Sequence, residues 1–204
     1  MDRRKFVIGT SLTAFAMSAF GTVVKATNGT FEGDCETTND ILGPFYRENA
    51  PLRSSLLYKG IEGTIINLKG KVYKDDCVTP LKNALVEIWH ANAAGEYDND
   101  SKEFRQRATW KTNAEGEYSF KTILPGKYLN GKLYRPSHIH YRVTEEGSKE
   151  LISQIYFEGD PHIKKDPWAS DKSAVHRILP ISPIDVDGNL TINFDIYLSQ
   201  KADD

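Results

Sequence analysis

Cysteine is almost absent from this chain. Cys35 and Cys77 are the only two in 204 residues, so one intramolecular disulfide is the most the protein can form. Charge of one sign is not accumulated either: the formal net charge is -2, and no basic stripe is interleaved with aromatics, which argues against nucleic acid as a partner. The sequence has no glycine-rich phosphate loop and no nucleophile elbow. Its acidic doublets, Asp75-Asp76 and Asp203-Asp204, read as solvated turns or ends rather than paired catalytic carboxylates. No segment holds a helical period over many residues, and there is no internal repeat, low-complexity tract or second domain. What remains is a composition of 39% hydrophobic and 26% charged residues, which suits one globular domain large enough to bury a core.

Short β-rich runs separated by turn clusters fill most of the chain. They cover Gly63 to Tyr73, Ala84 to His90, Ala108 to Thr112, Glu117 to Ile123, His138 to Thr144, Leu151 to Glu158 and Leu190 to Leu198. Hairpin-like spacing predicts an all-β fold, an antiparallel β-sandwich with long irregular loops. Residues 27 to 60 carry turn formers and no sustained period apart from Ile41 to Arg47, and are expected to wrap the core as an N-terminal arm.

Ahead of that arm, Arg3 and Arg4 precede an uncharged run from Phe6 to Val24 rich in Ala, Ser, Thr and Gly, which looks like a twin-arginine export signal. The expected division is therefore a signal over residues 1-26 and a β-sandwich domain over 27-204, with the membrane involved only through the signal. Removal of the signal takes away Arg3, Arg4, Lys5 and Lys25 together with Asp2, leaving a mature chain at -5 in the periplasm or outside the cell. A disulfide can persist there.

Chemistry concentrates at Arg135-Pro136-Ser137-His138-Ile139-His140. On a strand, alternate residues share a face at about 3.3 Å rise per residue, so His138 and His140 stand roughly 6.6 Å apart and can serve one metal. A ferrous facial triad or cupin-like site would need Glu145 as the third ligand, but in a regular strand Glu145 faces away from both histidines. The stretch from Gly70-Lys71-Val72-Tyr73 through Leu85-Val86-Glu87-Ile88-Trp89, with Thr112 to Phe120 and Leu124 to Tyr128, resembles transthyretin-like and carboxypeptidase-regulatory-like sandwich modules. That resemblance implies a non-catalytic binding or supporting role. His90 is expected to close a core strand beside Trp89, and His162 and His176 to lie in solvated loops.

A second resemblance spans nearly all of residues 38 to 198. Gly43-Pro44-Phe45-Tyr46, Val86-Glu87-Ile88-Trp89-His90-Ala91-Asn92, Gly95-Glu96-Tyr97, Pro125-Gly126-Lys127-Tyr128, Arg135-Pro136-Ser137-His138-Ile139-His140 and Gln154 together resemble the intradiol ring-cleavage dioxygenases. The resemblance implies one non-haem Fe(III) per chain, held by Tyr97, Tyr128, His138 and His140. Phenolate oxygen suits a hard ferric ion, whose charge drives off a phenolic proton of free pKa about 10. It further implies that a small aromatic diol of the catechol type binds the metal, that Tyr128 leaves it and takes a proton, and that both atoms of O2 enter a muconate-type diacid. Arg135 would steer the electron distribution of the substrate ring and Gln154 would stand beside the iron pocket. The sequence lacks the long helical N-terminal domain of catechol-type members, and Tyr128 and Arg135 are joined by only Leu129 to Tyr134. In this it looks more like a protocatechuate-type subunit or a small exported member.

Overall fold

The computed structural model describes residues 35-181 and 190-199, together with the backbone of three short strands before them. Those three, β1 (Phe15–Met17), β2 (Val23–Thr27) and β3 (Thr30–Glu32), form a small antiparallel sheet. Most of the predicted export signal, and Asp203-Asp204, lie outside the described residues.

Eleven further strands build the body: β4 (Ile65–Tyr73), β5 (Leu85–Trp89), β6 (Arg107–Lys111), β7 (Glu117–Ile123), β8 (Tyr128–Asn130), β9 (Leu133–Arg135), β10 (His138–Thr144), β11 (Leu151–Phe157), β12 (Ile178–Leu179), β13 (Leu190–Asn193) and β14 (Ile196–Tyr197). One sheet has the order β12-β11-β10-β5-β6. In the other, β4 pairs antiparallel with β7 and parallel with β13 and then β14. Strand alternation sends Val86 and Ile88, Ile139, Tyr141 and Val143, and Leu151, Ile155 and Phe157 from the first sheet into one core. There they meet Ile66, Leu68 and Val72 of β4, Phe120 of β7 and Ile192 of β13.

The sandwich is as expected, with differences at its margins. β12, and β13 with the β14 that follows it, pair in parallel, because β12 and the β13–β14 run each return through a long connection instead of a hairpin. The run from Leu190 to Leu198 breaks in two where Asp195 Oδ1 takes the Lys71 N–H at 2.9 Å in place of a strand carbonyl. The pair β8 and β9 was not foreseen, its three-residue strands being too short to show a period.

The arm wraps the core as expected. Its backbone bridges Leu52 to Thr109 on β6 and Ser55 to Lys121 on β7, so it covers the edge strand of each sheet. Cys35 is bonded to Cys77 with Cα atoms 6.0 Å apart, tying the start of the arm to the turn after β4. Closing that 42-residue separation stabilises the fold by about 4 kcal/mol in the chain-entropy account.

Candidate metal centre

The face of the first sheet that points away from the core is polar, and it is buried all the same. Period two places His138 and His140 there, next to Ile139 and Tyr141 that point inward. Across the ladder His140 is opposite Trp89 on β5 and Gln154 on β11, and His138 is opposite Tyr156. Both histidines are 1% exposed, covered by the arm and by the loops that follow β5 and β11.

Two glycine turns bring the tyrosines to them. Gly95 has φ +86°, and a Cβ there would lie 2.2 Å from the Lys127 carbonyl oxygen. A Cβ on Gly126 would lie 2.3 Å from the Ala93 carbonyl oxygen. The turn leading to Tyr97 and the turn leading to Tyr128 therefore pack backbone against backbone, which only glycine permits. Asn92 fixes the first turn by accepting the Ala94 and Glu96 N–H groups, each at 2.9 Å.

The four side chains converge. Ring centroids are 5.0 Å apart for His138 and His140, 5.6 Å for Tyr128 and His138, 5.7 Å for the two tyrosines and 6.2 Å for Tyr97 and His140. His138 Nδ1–H donates to the Pro136 carbonyl at 2.7 Å, leaving Nε2 as an acceptor, which takes the Tyr97 hydroxyl at 3.2 Å. His140 stacks on Trp89 at 4.8 Å, and its buried Nδ1 has no hydrogen-bond partner. The Ile41 carbonyl is near enough to favour the His140 cation slightly, but its bond comes from Gln154 Nε2 at 2.9 Å.

Electrostatics prepares these groups as metal donors. Burial, aided by Arg135, pushes His138 down to about 3, and burial with His138 and Arg135 holds His140 well below its usual range. Both imidazoles are thus neutral, with a lone pair to offer. Burial and neighbouring Tyr128 push the Tyr97 phenol up, so it ionises here only with a compensating cation. Among the described residues no three His, Cys, Asp or Glu side chains gather, and the side-chain oxygens that stand with both histidines are those of Tyr97 and Tyr128. The donor set is two neutral nitrogens and two phenolic oxygens, which fits a hard trivalent ion.

Arg135 and Gln154 sit beside this cluster in a buried network. Arg135 Nε donates to Asp166 Oδ2 at 2.8 Å, and Nη2 donates to Gln154 Oε1 at 3.1 Å and the Tyr156 hydroxyl at 3.3 Å. Burial alone would lower the Arg135 pKa, but the Asp166 bond together with the neighbouring Tyr156, Asp166 and Tyr128 groups outweighs it and the proton is held firmly. The guanidinium lies over the Trp168 ring at 4.4 Å. Beyond Gln154, Asp40 accepts the Tyr156 hydroxyl at 2.9 Å and pairs with Arg177 at 2.6 Å. Sequence reasoning did not single out Asp40, Tyr156, Asp166 or Arg177. Tyr156 could have been found, since it lies two residues after Gln154 on the same strand face; the others depend on how loops return.

The other tyrosine, histidine and glutamate side chains near the site in sequence take different positions. Glu145 takes part in a turn with Ser148 and is not near the histidines' face. Tyr134 pairs with Leu129 on the opposite side of the β8–β9 hairpin from Tyr128 and Arg135, and is 45% exposed against His162. His90 is buried beside Trp89 with its Nε2 on the Thr122 hydroxyl at 2.8 Å. His176 is exposed.

A β-sandwich that brings two tyrosines to an H-x-H strand presents a donor set suited to a non-haem metal, and comparison with known proteins shows the class. A family model described as Dioxygenase matches residues 41–199. The chain is 32% identical over 191 residues to chlorocatechol 1,2-dioxygenase of Rhodococcus opacus, covering 81% of this chain and 73% of that one. It is 33% identical over 188 residues to the protocatechuate 3,4-dioxygenase beta chain of Burkholderia cepacia, covering 80% and 79%. Against catechol 1,2-dioxygenase 2 of Acinetobacter lwoffii it is 35% identical over 150 residues, 64% of this chain, but spans only 54% of that relative's length. Among solved structures, the dioxygenase domain of a carbohydrate-binding fusion from Streptomyces sp. SirexAA-E superposes with TM-score 0.70 at 27% identity, covering 81% of this chain and 99% of that one. The chain belongs to the intradiol ring-cleavage dioxygenase family.

Proposed function

We propose that this chain is a non-haem Fe(III) dioxygenase that opens a catechol-type diol between its two hydroxyl-bearing carbons. One observation carries the reading: two half-buried phenols converge on two buried, neutral imidazoles, and among the described residues no three His, Cys, Asp or Glu side chains gather there. Tyr97, Tyr128, His138 and His140 would hold the metal. When bound, ferric iron supplies the Lewis acidity that favours the deprotonated diol and lets its ring react with dioxygen.

Everything else falls to the chain's own residues. Tyr128, half-buried like Tyr97, turns aside for the diol, as the family resemblance implies, and its oxygen accepts a diol proton. Pro136 fixes the His138 tautomer through its carbonyl. Asp166 and Gln154 hold the Arg135 guanidinium in one orientation, as a fixed positive charge for the developing anion. Among the described residues Arg135 Nη1 has no protein partner, which leaves a donor for substrate. The relatives named for chlorocatechol, catechol and protocatechuate support an aromatic diol as the substrate class.

Export belongs to the same proposal: residues 1–26 act as a twin-arginine signal, and the mature domain works in the periplasm or beyond. An Arg3→Lys, Arg4→Lys double mutant should remain unprocessed in the cytoplasm, and its normal export would refute this part. For the chemistry, mature protein purified in air should contain about one iron per chain and absorb visible light through tyrosinate-to-iron charge transfer. A colourless protein that takes up no iron on reconstitution would overturn the enzymatic reading and favour a binding module.

A further inference from the structure

The β8–β9 hairpin stands apart from both main sheets. Among the described residues its strands pair only with each other, and its base carries the opposed residues Tyr128 and Arg135. At its tip Gly131 has φ +64°, and a Cβ there would meet nothing within 4 Å. The side chains around this open turn are nonetheless apolar, with Leu129 57% exposed and Leu133 53%. Cross-strand pairing puts Leu129 with Tyr134 on one face and Leu133 with Asn130 on the other, so the tip is apolar on both sides. One apolar face suits a flat partner, whereas a tip apolar on both faces suits a phase that surrounds it.

Charge around the hairpin points the same way. Lys127 lies over the Tyr134 ring at 4.8 Å, and Lys132 follows Gly131 at the tip. Tyr134 also meets the His162 ring at 5.5 Å, and from His162 the chain runs directly into Lys164 and Lys165. All four lysines are exposed. The acidic residues of the same two segments, 127–135 and 160–166, are turned inward: Asp160 accepts the Ser137 and His162 N–H groups, each at 2.8 Å, and Asp166 is bound to Arg135. Glu96, on the turn packed against Lys127, is engaged by Asn92 Nδ2 at 3.1 Å. This is a basic patch on a chain whose net charge is -2. The buried centres of protein interfaces are poor in lysine, which argues against a protein partner. Lysine stems instead lie along apolar surface with their heads toward anions, and tyrosine is favoured at the boundary between lipid and water.

We propose that the β8–β9 hairpin docks the protein on an anionic lipid bilayer, with Leu129 and Leu133 entering its outer layer and Lys127, Lys132, Lys164 and Lys165 meeting the phosphate headgroups. Docking sets the candidate metal centre, at the hairpin's base, against the membrane. The inference stands independently of the metal reading.

The test places an environment-sensitive fluorophore on Asn130→Cys in the full chain, so that the hairpin reports its own insertion whatever other segments do. The probe is a titration with vesicles of phosphatidylcholine, alone or mixed with phosphatidylglycerol. The mixed vesicles should shift the emission to the blue, and phosphatidylcholine alone should leave it nearly unchanged. Leu129→Ser with Leu133→Ser, and separately Lys132→Gln with Lys164→Gln, should each require at least about tenfold more lipid for half the shift. Lys69→Gln with Lys111→Gln, which removes equal charge from β4 and β6, should change it less than about twofold. No shift with anionic vesicles would overturn the proposal, as would an undiminished shift in either hairpin pair or an equal loss in the β4 and β6 pair. A shift that needs no lipid but rises with protein concentration would make the hairpin a contact between copies of this chain, and would overturn it too. If the leucine pair does not fold, the lysine pair decides alone: tenfold weaker binding than the β4 and β6 pair supports the proposal, and equal binding overturns it.

Discussion

The two faces of β10 obey different rules within one strand. Ile139, Tyr141 and Val143 enter a core where apolar area removed from water sets the stability. His138 and His140 point the other way, into a layer just as dry but made of polar groups. There each residue must be satisfied by a named partner, and the unsatisfied atoms are informative: His140 Nδ1, Trp89 Nε1 and Arg107 Nη2 are all buried on this side. The inner face holds the fold, whereas the outer face holds the donor set proposed for a metal.

Neighbouring substitutions should separate these faces, the largest effect falling on the metal. His138→Ala should reduce bound iron at least about tenfold while leaving a folded sandwich, because it removes a neutral nitrogen nothing nearby replaces. Ile139→Ala, one residue on, should do the reverse, keeping iron while costing about 3 kcal/mol in denaturant unfolding. If both changes lowered iron and stability alike, the two faces would not be independent. Within the outer face, Tyr128→Phe should retain iron and colour yet lose about a hundredfold in turnover, as expected for a lost proton acceptor.

Much of the outer face could be read from the sequence because its elements are local. Period two puts His138 and His140 on one face of a regular strand, and the short motifs around Tyr97, Tyr128 and Gln154 carry the family resemblance that names them. The charged network could not be read. Asp40 arrives on an arm without periodicity, Asp166 just after a short 3₁₀ helix and Arg177 at the end of another, and no rule of spacing predicts that these meet on Gln154 and Tyr156. The parallel strands β12 to β14 were hidden for a related reason, since their partners are fixed by long connections rather than by hairpins.

Smaller effects sharpen the same contrast. Replacing both Cys35 and Cys77 by Ser should lower unfolding free energy by about 4 kcal/mol at most while iron stays bound, because the bond fastens the arm and not the donors. His90 tests burial without a metal role. Burial pushes it down to about 4, below its unfolded value near 6.5, so the unfolded chain binds the extra proton between these values. Its contribution is complete above pH 6.5 and fades as pH falls, by about 2 kcal/mol at pH 5. Wild type should therefore lose more stability than His90→Gln between pH 7 and pH 5, and equal losses would remove His90 from the account.

The most direct test of the central claim is the reaction in isotopically labelled dioxygen, with catechol as the probe diol and the product analysed by mass. Cleavage between the two hydroxyl-bearing carbons, giving a diacid that carries both labelled oxygen atoms, is the result this structure predicts. A ring cut beside the diol would contradict it, and would return attention to a ferrous site using Glu145.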